Sequence, residues 1–123
     1  MLDHLSIVVP DLDRVAAFYD AALGALGYER QWLRDGRLRF GDRLVGDGTF
    51  LSVVEVAGAV GGGHVALRAL SREAVDDFFL AALANGGTGD GGPGLRPAYH
   101  AAYYAAFVRD PCGNRLEAVC HAG

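Results

Sequence analysis

The chain has 123 residues, of which 51% are hydrophobic, and its formal net charge at pH 7 is −4. That length fits one domain, or two small half-domains that share one core. The acidic balance, without a basic run interleaved with aromatic residues, argues against a nucleic-acid partner. No apolar stretch approaches the roughly 18 residues that span a bilayer, so we expect no membrane partner either.

Two features of the sequence indicate a cytoplasmic protein. The chain begins directly with a predicted strand and lacks the basic head of a signal peptide. Its two cysteines, Cys112 and Cys120, lack CxxC spacing, which is more typical of reduced thiols than of a disulfide or a zinc site.

The first half of the chain predicts a strand, a helix and three further strands. Residues 3–9 alternate in polarity and end in β-branched residues, as strands do. Pro10 ends this strand, Asp11 is a fair N-cap, and apolar residues then recur at helical spacing up to Gly27. Three short strands are predicted to follow, at 28–34, 36–41 and 50–56, with a turn at Gly46–Gly48.

The second half repeats this order. A strand is predicted over 64–70, and Ser71 is placed to cap a helix that ends at Asn85. A glycine-rich connection over 86–94 leads to two strands, predicted near 103–109 and 114–121.

The two halves also match residue by residue. A shift of 60 positions superimposes His4 on His64 and gives 7 identities in the 24 positions from 4 to 27. Chance would give roughly two at the composition of this chain. Such self-similarity is the signature of an internal repeat, and it places one histidine at the start of each repeat.

Strand alternation predicts which side chains face away from the helices. Successive side chains point to opposite faces of a sheet, so Leu5, Ile7 and Val9 are expected to pack under the first helix. On three strands, the opposite face then carries these polar groups: His4, Ser6, His64, Arg68, Arg115, Glu117 and His121. This face is predicted to line a cup that contains both histidines and Glu117.

Histidine and carboxylate side chains on one face form a set of nitrogen and oxygen metal ligands. Two histidines with one carboxylate suit a non-haem Fe(II) oxygenase, and two histidines with two carboxylates suit a six-coordinate metal. The plain alternative is that His4 and His64 are polar strand residues bonded to neighbouring carbonyls. Glu55 would be the second carboxylate, but both parities of its strand are largely apolar, so its inward or outward orientation stays open.

Three segments carry a resemblance to a known family. They are LDHLSIVVPDLDRVAAFYDAALGALGY at the start, GGHVALRA at 62–69 and YYAAFVRDPCGNRLEAVCH at 103–121. The last contains an aspartate-proline-x-glycine-asparagine turn before a strand glutamate. In these segments the chain resembles the vicinal oxygen chelate superfamily, which groups glyoxalase I, bleomycin-resistance proteins and extradiol dioxygenases.

The resemblance implies an α+β fold and a metal site. One domain would contain two tandem βαβββ modules, residues 1–60 and 61–123, whose sheets form an open, barrel-like cup. A divalent metal (Ni, Zn, Co, Mn or Fe) would be held by His4, Glu55, His64 and Glu117, with Glu117 and Glu55 as catalytic groups. The resemblance also implies a homodimer.

Three functions follow as expectations. The first is glyoxalase-type lyase or isomerase chemistry on a small substrate with vicinal oxygens. The second is an Fe(II) extradiol-type dioxygenase that uses only His4, His64 and Glu117. The third is a non-catalytic protein that binds a small molecule, as bleomycin-resistance proteins do.

Other side chains are candidates for substrate contacts. The density of aromatic residues at Tyr99, His100, Tyr103 and Tyr104 suggests a pocket rim, and Arg68 shares the predicted face of His64. Core packing explains the aromatic residues equally well. Arginines also cluster around the second and third strands, where a solvated sheet edge is the simpler interpretation and an anionic substrate the alternative; they are Arg30, Arg34, Arg37, Arg39 and Arg43.

Overall fold

The computed structural model describes residues 1–42 and 48–122. Arg43 and most of the predicted Gly46–Gly48 turn lie outside this part of the chain. The elements in chain order are β1 (His4–Val9), α1 (Ala16–Ala25), β2 (Tyr28–Arg34), β3 (Arg37–Asp42), β4 (Phe50–Glu55), β5 (His64–Arg68), α2 (Arg72–Ala84), β6 (Thr88–Gly89), β7 (Gly94–Leu95), β8 (Tyr104–Arg109) and β9 (Arg115–Cys120).

Two sheets are built in the same way. The first has the strand order β1-β4-β3-β2, and β1 runs parallel to β4. The second has the order β5-β9-β8-β6, and β5 runs parallel to β9. Two helices and two mixed sheets confirm the predicted α+β class and the repeat of a strand and helix followed by further strands.

The helices cover one face of the sheets. Three pairs of residues matched by the repeat are fully buried on these helices or at their starts: Val15 and Val75, Phe18 and Phe78, Ala22 and Ala82. Helix α1 packs against α2, and one hydrophobic cluster joins both halves. The internal repeat in the sequence therefore reflects two equivalent helix faces that share one core.

The start of the first helix differs from the prediction. Helix α1 begins at Ala16, and Val15 occupies the N-cap position without a side-chain cap. The Asp11 carboxylate instead accepts from the backbone N–H of Asp13 in the preceding turn, at 3.0 Å. The predicted cap of α2 is confirmed, because Ser71 Oγ accepts from the backbone N–H of Ala74 at 3.1 Å.

The second half departs from the regular strand order in its glycine-rich segment. In place of one strand before β8, two pairs of residues, β6 and β7, each bridge to β8. Gly91 between them has a φ of +137°, which a residue with a side chain rarely adopts. Among the described residues, no helix has the length and apolar character that crossing a membrane requires.

Candidate functional site

Glu117 is the centre of a hydrogen-bond network on the second sheet. Its carboxylate is buried, with 4% of the residue exposed. One oxygen lies 3.1 Å from Nε2 of His64, and the other accepts from the Tyr103 hydroxyl. Burial, and then the bond to Glu117, raise the pKa of Tyr103 to about 12. The phenol therefore stays protonated as a donor at neutral pH.

Arg115 determines the tautomer of the neutral His64 ring. A terminal guanidinium nitrogen of Arg115 lies 3.2 Å from Nδ1 of His64, and a guanidinium can only donate. Nδ1 must therefore accept, so the ring proton sits on Nε2 and points to Glu117. Asp90 accepts from Nε of Arg115 at 2.8 Å and completes the network, in which every charged group faces an opposite charge or a dipole of the correct sense.

His4 belongs to a different cluster, on the first sheet. Its ring stacks on Phe50 with centroids 4.7 Å apart and an interplanar angle of 2°. Nδ1 of His4 lies 2.7 Å from a carboxylate oxygen of Asp3. The guanidinium carbon of Arg39 lies 3.5 Å from the centroid of the same Phe50 ring.

Strand register defines the surface to which His4 belongs. Residues paired across strands share a face: His4 lies opposite Phe50, and Ser52 lies between Ser6 and Arg39. We call this surface the His4 face. Its members used below are His4, Ser6, Phe50, Ser52, Arg37, Arg39, Trp32 and Arg34.

The orientation of Glu55, which the sequence left open, is away from His4. Glu55 pairs with Val9, and both lie on the opposite side of the sheet from His4. Its Oε1 accepts from the backbone N–H of Leu12 at 2.9 Å and so holds the loop between β1 and α1. On β4 the His4 face carries Ser52 instead, and a serine hydroxyl is not a strong metal ligand. Glu55 is therefore not brought to the other predicted ligands.

The side chains do not fit the four-ligand or three-ligand metal site. Among residues 1–42 and 48–122, no group of three or more His, Cys, Asp and Glu side chains is placed to hold a metal ion. A ligating histidine normally donates its other ring N–H to an acceptor. The other nitrogen of His64 instead faces the cation of Arg115, which opposes that tautomer. Only His64 and Glu117, of the four predicted ligands, contact each other.

Three of the four residues of the predicted aromatic rim pack together, and the fourth, Tyr104, does not. Tyr99 and His100 pack on Tyr103, with ring centroids 4.8 and 5.4 Å away. His121 joins them, with Nδ1 2.8 Å from Nε2 of His100. Tyr104 instead turns to the helices, where its hydroxyl donates to Asp76 at 2.6 Å.

The other residues considered from the sequence are Arg68, the two cysteines and the arginines of β2 and β3. Arg68 lies on the same face as Glu117, opposite Val119, and is exposed. Cys120 is buried in the core, and Cys112 is partly buried; both are free thiols. Arg30 donates to both carboxylate oxygens of Asp20 and so belongs to an exposed ion pair, whereas Arg34 and Arg39 lie over aromatic rings.

A cleft between the two sheets connects the clusters. Its volume is about 310 Å³, and both His4 and His64 line it with Phe50, Ala66, Leu5 and Val65. This is the lower end of the range for small-molecule pockets. The roles of Ser52 and Phe50 were missed from the sequence, because they depend on the register between β1 and β4. Arg115 was placed on the correct face, but its contact with His64 was not foreseen.

The comparisons with known proteins agree with this architecture. A family model, Glyoxalase/Bleomycin resistance protein/Dioxygenase superfamily, matches residues 1–118. A glyoxalase/bleomycin resistance protein from Albidiferax ferrireducens is 30% identical, with 97% of each chain covered and a TM-score of 0.84. The chain belongs to the glyoxalase/bleomycin resistance protein/dioxygenase superfamily.

More distant members of this superfamily share the fold. A lactoylglutathione lyase from Agrobacterium tumefaciens is 21% identical, with 98% of this chain and 92% of that chain covered and a TM-score of 0.69. A glyoxalase-related enzyme from Fulvimarina pelagi is 16% identical, with 98% and 87% covered and a TM-score of 0.74. At these identities the likeness concerns the fold alone. No curated protein matches the chain.

Proposed function

We propose that this superfamily member binds a small planar organic molecule between its two sheets and does so without a metal. The single observation that carries the proposal is the bond from Arg115 to Nδ1 of His64. It turns the Nε2–H of His64 to Glu117, so the pair that a metal would need is already satisfied by hydrogen bonds. Of this network only Glu117 is buried, and both of its carboxylate oxygens are already paired, one with His64 and one with Tyr103.

The surroundings support a planar ligand. The cleft of about 310 Å³ has the size of a small-molecule site, and Phe50 on its wall presents an aromatic ring. Tyr99 and Tyr103 pack on each other in the second half, outside the residues that line the cleft. Aromatic walls favour flat ligands, which stack over a large area at low conformational cost.

The metal-dependent activities would require several side chains to leave their present hydrogen bonds and contacts. Lyase or isomerase chemistry with four ligands needs Glu55, whose carboxylate bonds Leu12 on the far side of the sheet. The three-ligand dioxygenase arrangement needs His4 to leave Asp3 and Phe50, and His64 to lose its bond from Arg115. The superfamily resemblance implies a divalent metal, but these side chains favour binding without one.

The test is ligand binding with and without metal. Trp32 is the single tryptophan of the chain and lies on the His4 face, so its emission reports on ligands there. A panel of small aromatic molecules is titrated in EDTA and again with Zn²⁺, Ni²⁺ or anaerobic Fe²⁺. We expect saturable binding of the same affinity in all conditions. Binding that appears only with metal, or product formation that requires metal, would overturn the proposal.

Two further expectations belong to the proposal. Both thiols are free, which supports placement in the cytoplasm. The homodimer implied by the family resemblance is proposed as the assembly, and sedimentation equilibrium tests it. A chain that stays monomeric at high concentration would contradict this assembly without affecting ligand binding.

A further inference from the structure

The His4 face carries alternating aromatic rings and cations. The guanidinium of Arg34 lies 4.2 Å from the Trp32 ring centroid, and that of Arg39 lies 5.9 Å from it. Arg39 also lies over Phe50, which in turn stacks on His4. The order across the strands is therefore Arg34, Trp32, Arg39, Phe50, His4.

Three arginines of this surface are not neutralised by ion pairs with residues that the structure describes. In the part of the chain that the structure describes, no ion pair involves Arg34, Arg37 or Arg39. By contrast, Arg30 on β2 forms an ion pair with Asp20, with 2.7 Å between a guanidinium nitrogen and a carboxylate oxygen. Glu29 shares the face but lies opposite Gly41, where the Gln31 side chain also packs.

Two polar atoms at the centre of the surface have no partner. Within the described residues, no hydrogen bond reaches Nε of Arg39 or Oγ of Ser52, and both atoms are buried. Ser52 is 1% exposed and lies directly opposite Arg39, so the two groups point to the same place. Buried polar groups are nearly always hydrogen-bonded in folded proteins, so an unpaired donor beside an unpaired hydroxyl indicates a missing acceptor.

We propose that the ligand is a planar carboxylate, or another flat oxyanion, whose charged end binds Arg39 and Ser52. This inference rests on the proposed function and assigns its ligand class. A carboxylate accepts from a guanidinium in the fork geometry that a neutral amide cannot match. The flat part of the ligand lies against the edge of the Phe50 ring at the mouth of the cleft, because His4 and Arg39 already pack on that ring.

The experiment compares three probes that share parts of this chemistry. Benzoate has the ring and the charge, benzamide has the same shape without the charge, and acetate has the charge without the ring. Each is titrated into the full chain in EDTA, and binding is measured by Trp32 emission and by calorimetry. We expect benzoate to bind at least about tenfold more tightly than either other probe, and less tightly as salt is added.

The variants assign the effect to one side chain. Arg39→Gln should weaken benzoate binding about tenfold and abolish its preference over benzamide, and Ser52→Ala should weaken it about threefold. Arg39→Lys keeps the charge without the fork and should recover part of the preference. Arg30→Gln removes one positive charge from the same sheet, and it should change the affinity less than about twofold. Thermal unfolding confirms that each variant is folded.

The outcomes separate this inference from the proposed function. Equal binding of benzamide and benzoate would overturn the anion assignment and leave metal-free binding intact. A benzoate preference that survives in Arg39→Gln would overturn the role of Arg39. Benzoate binding that requires added Zn²⁺ but is lost in Arg39→Gln would overturn the proposed function and keep the anion site. No saturable binding of benzoate under any condition would overturn the anion assignment, and no metal-free binding of any molecule in the aromatic panel would overturn the proposed function as well.

Discussion

Arg115 donates a hydrogen bond to Nδ1 of His64 across 3.2 Å, and this contact determines which ring nitrogen of His64 carries the proton. The consequence extends to Glu117, which faces an N–H donor at Nε2, 3.1 Å away. A cation behind the imidazole thus makes His64 a donor to the carboxylate. The same imidazole with an acceptor behind it would be a better metal ligand.

Without the hydrogen bond from Arg115, His64 should adopt both neutral tautomers. In the wild type, long-range ¹H–¹⁵N NMR at neutral pH is expected to show His64 protonated at Nε2 and unprotonated at Nδ1. In Arg115→Met, the bond to Nδ1 is lost and a mixture of tautomers should appear. Arg68→Met, on the same face without a contact to His64, is the control. An Nδ1–H tautomer in the wild type would contradict the account of the site.

Loss of the Tyr103 hydroxyl should change stability in alkaline solution. Because the folded-state pKa of Tyr103 is raised to about 12 from a usual value near 10, the folded protein holds this proton more tightly than the unfolded chain. The stabilisation is complete below pH 10 and is lost as the pH rises towards 12. Urea unfolding of Tyr103→Phe should therefore show a weaker decline over this range than the wild type. Parallel curves for the two proteins would rule out the raised pKa.

Glu55 should prove to be a structural residue. The charged hydrogen bond to Leu12 is worth about 1.5–3 kcal/mol, so Glu55→Ala should lower the free energy of unfolding by roughly that amount. Glu55→Gln keeps an acceptor oxygen and should lose less. Benzoate affinity should be unchanged in both variants. An altered ligand or metal affinity in Glu55→Gln, with normal stability, would return Glu55 to the site.

Asp110 should be among the most sensitive positions for folding. Its buried carboxylate accepts from the backbone N–H groups of Cys112 and Asn114, and from the Tyr19 hydroxyl at 2.5 Å. Asn114 also donates to the Val8 carbonyl and so ties this turn to β1. Asp110→Ala should cost about 3 kcal/mol or more, against a few tenths for the exposed Asp13→Ala. Equal urea midpoints for the two variants would contradict this role.

Much of the fold could be predicted because the signals are local. Alternating polarity placed Ile7 and Val9 under the helix, and it placed His64 and Glu117 together on the other face. The helix faces follow from buried residues at helical spacing, such as Phe18 and Phe78. In these elements the spacing of apolar residues along the sequence determines both the secondary structure and which side chains are buried.

The candidate site was less predictable because it depends on register between distant strands. Leu51 and Val53 are buried, and Glu55 follows their parity to the helix side, whereas apolar residues on both faces of β4 had left the choice open. The stack of His4 on Phe50 likewise needs the pairing of β1 with β4. Histidine spacing identified a shared region but could not show that Asp3 and Arg115 engage the two rings.

The metal content of the purified protein shows whether the chain binds its ligand without a metal. Protein prepared without chelator is measured by elemental analysis, and calorimetry with benzoate is then repeated before and after EDTA treatment. We predict well under one divalent metal per chain and an unchanged benzoate affinity. One tightly bound metal per chain, lost in Glu117→Gln and required for benzoate binding, would show that the ligand binds through a metal.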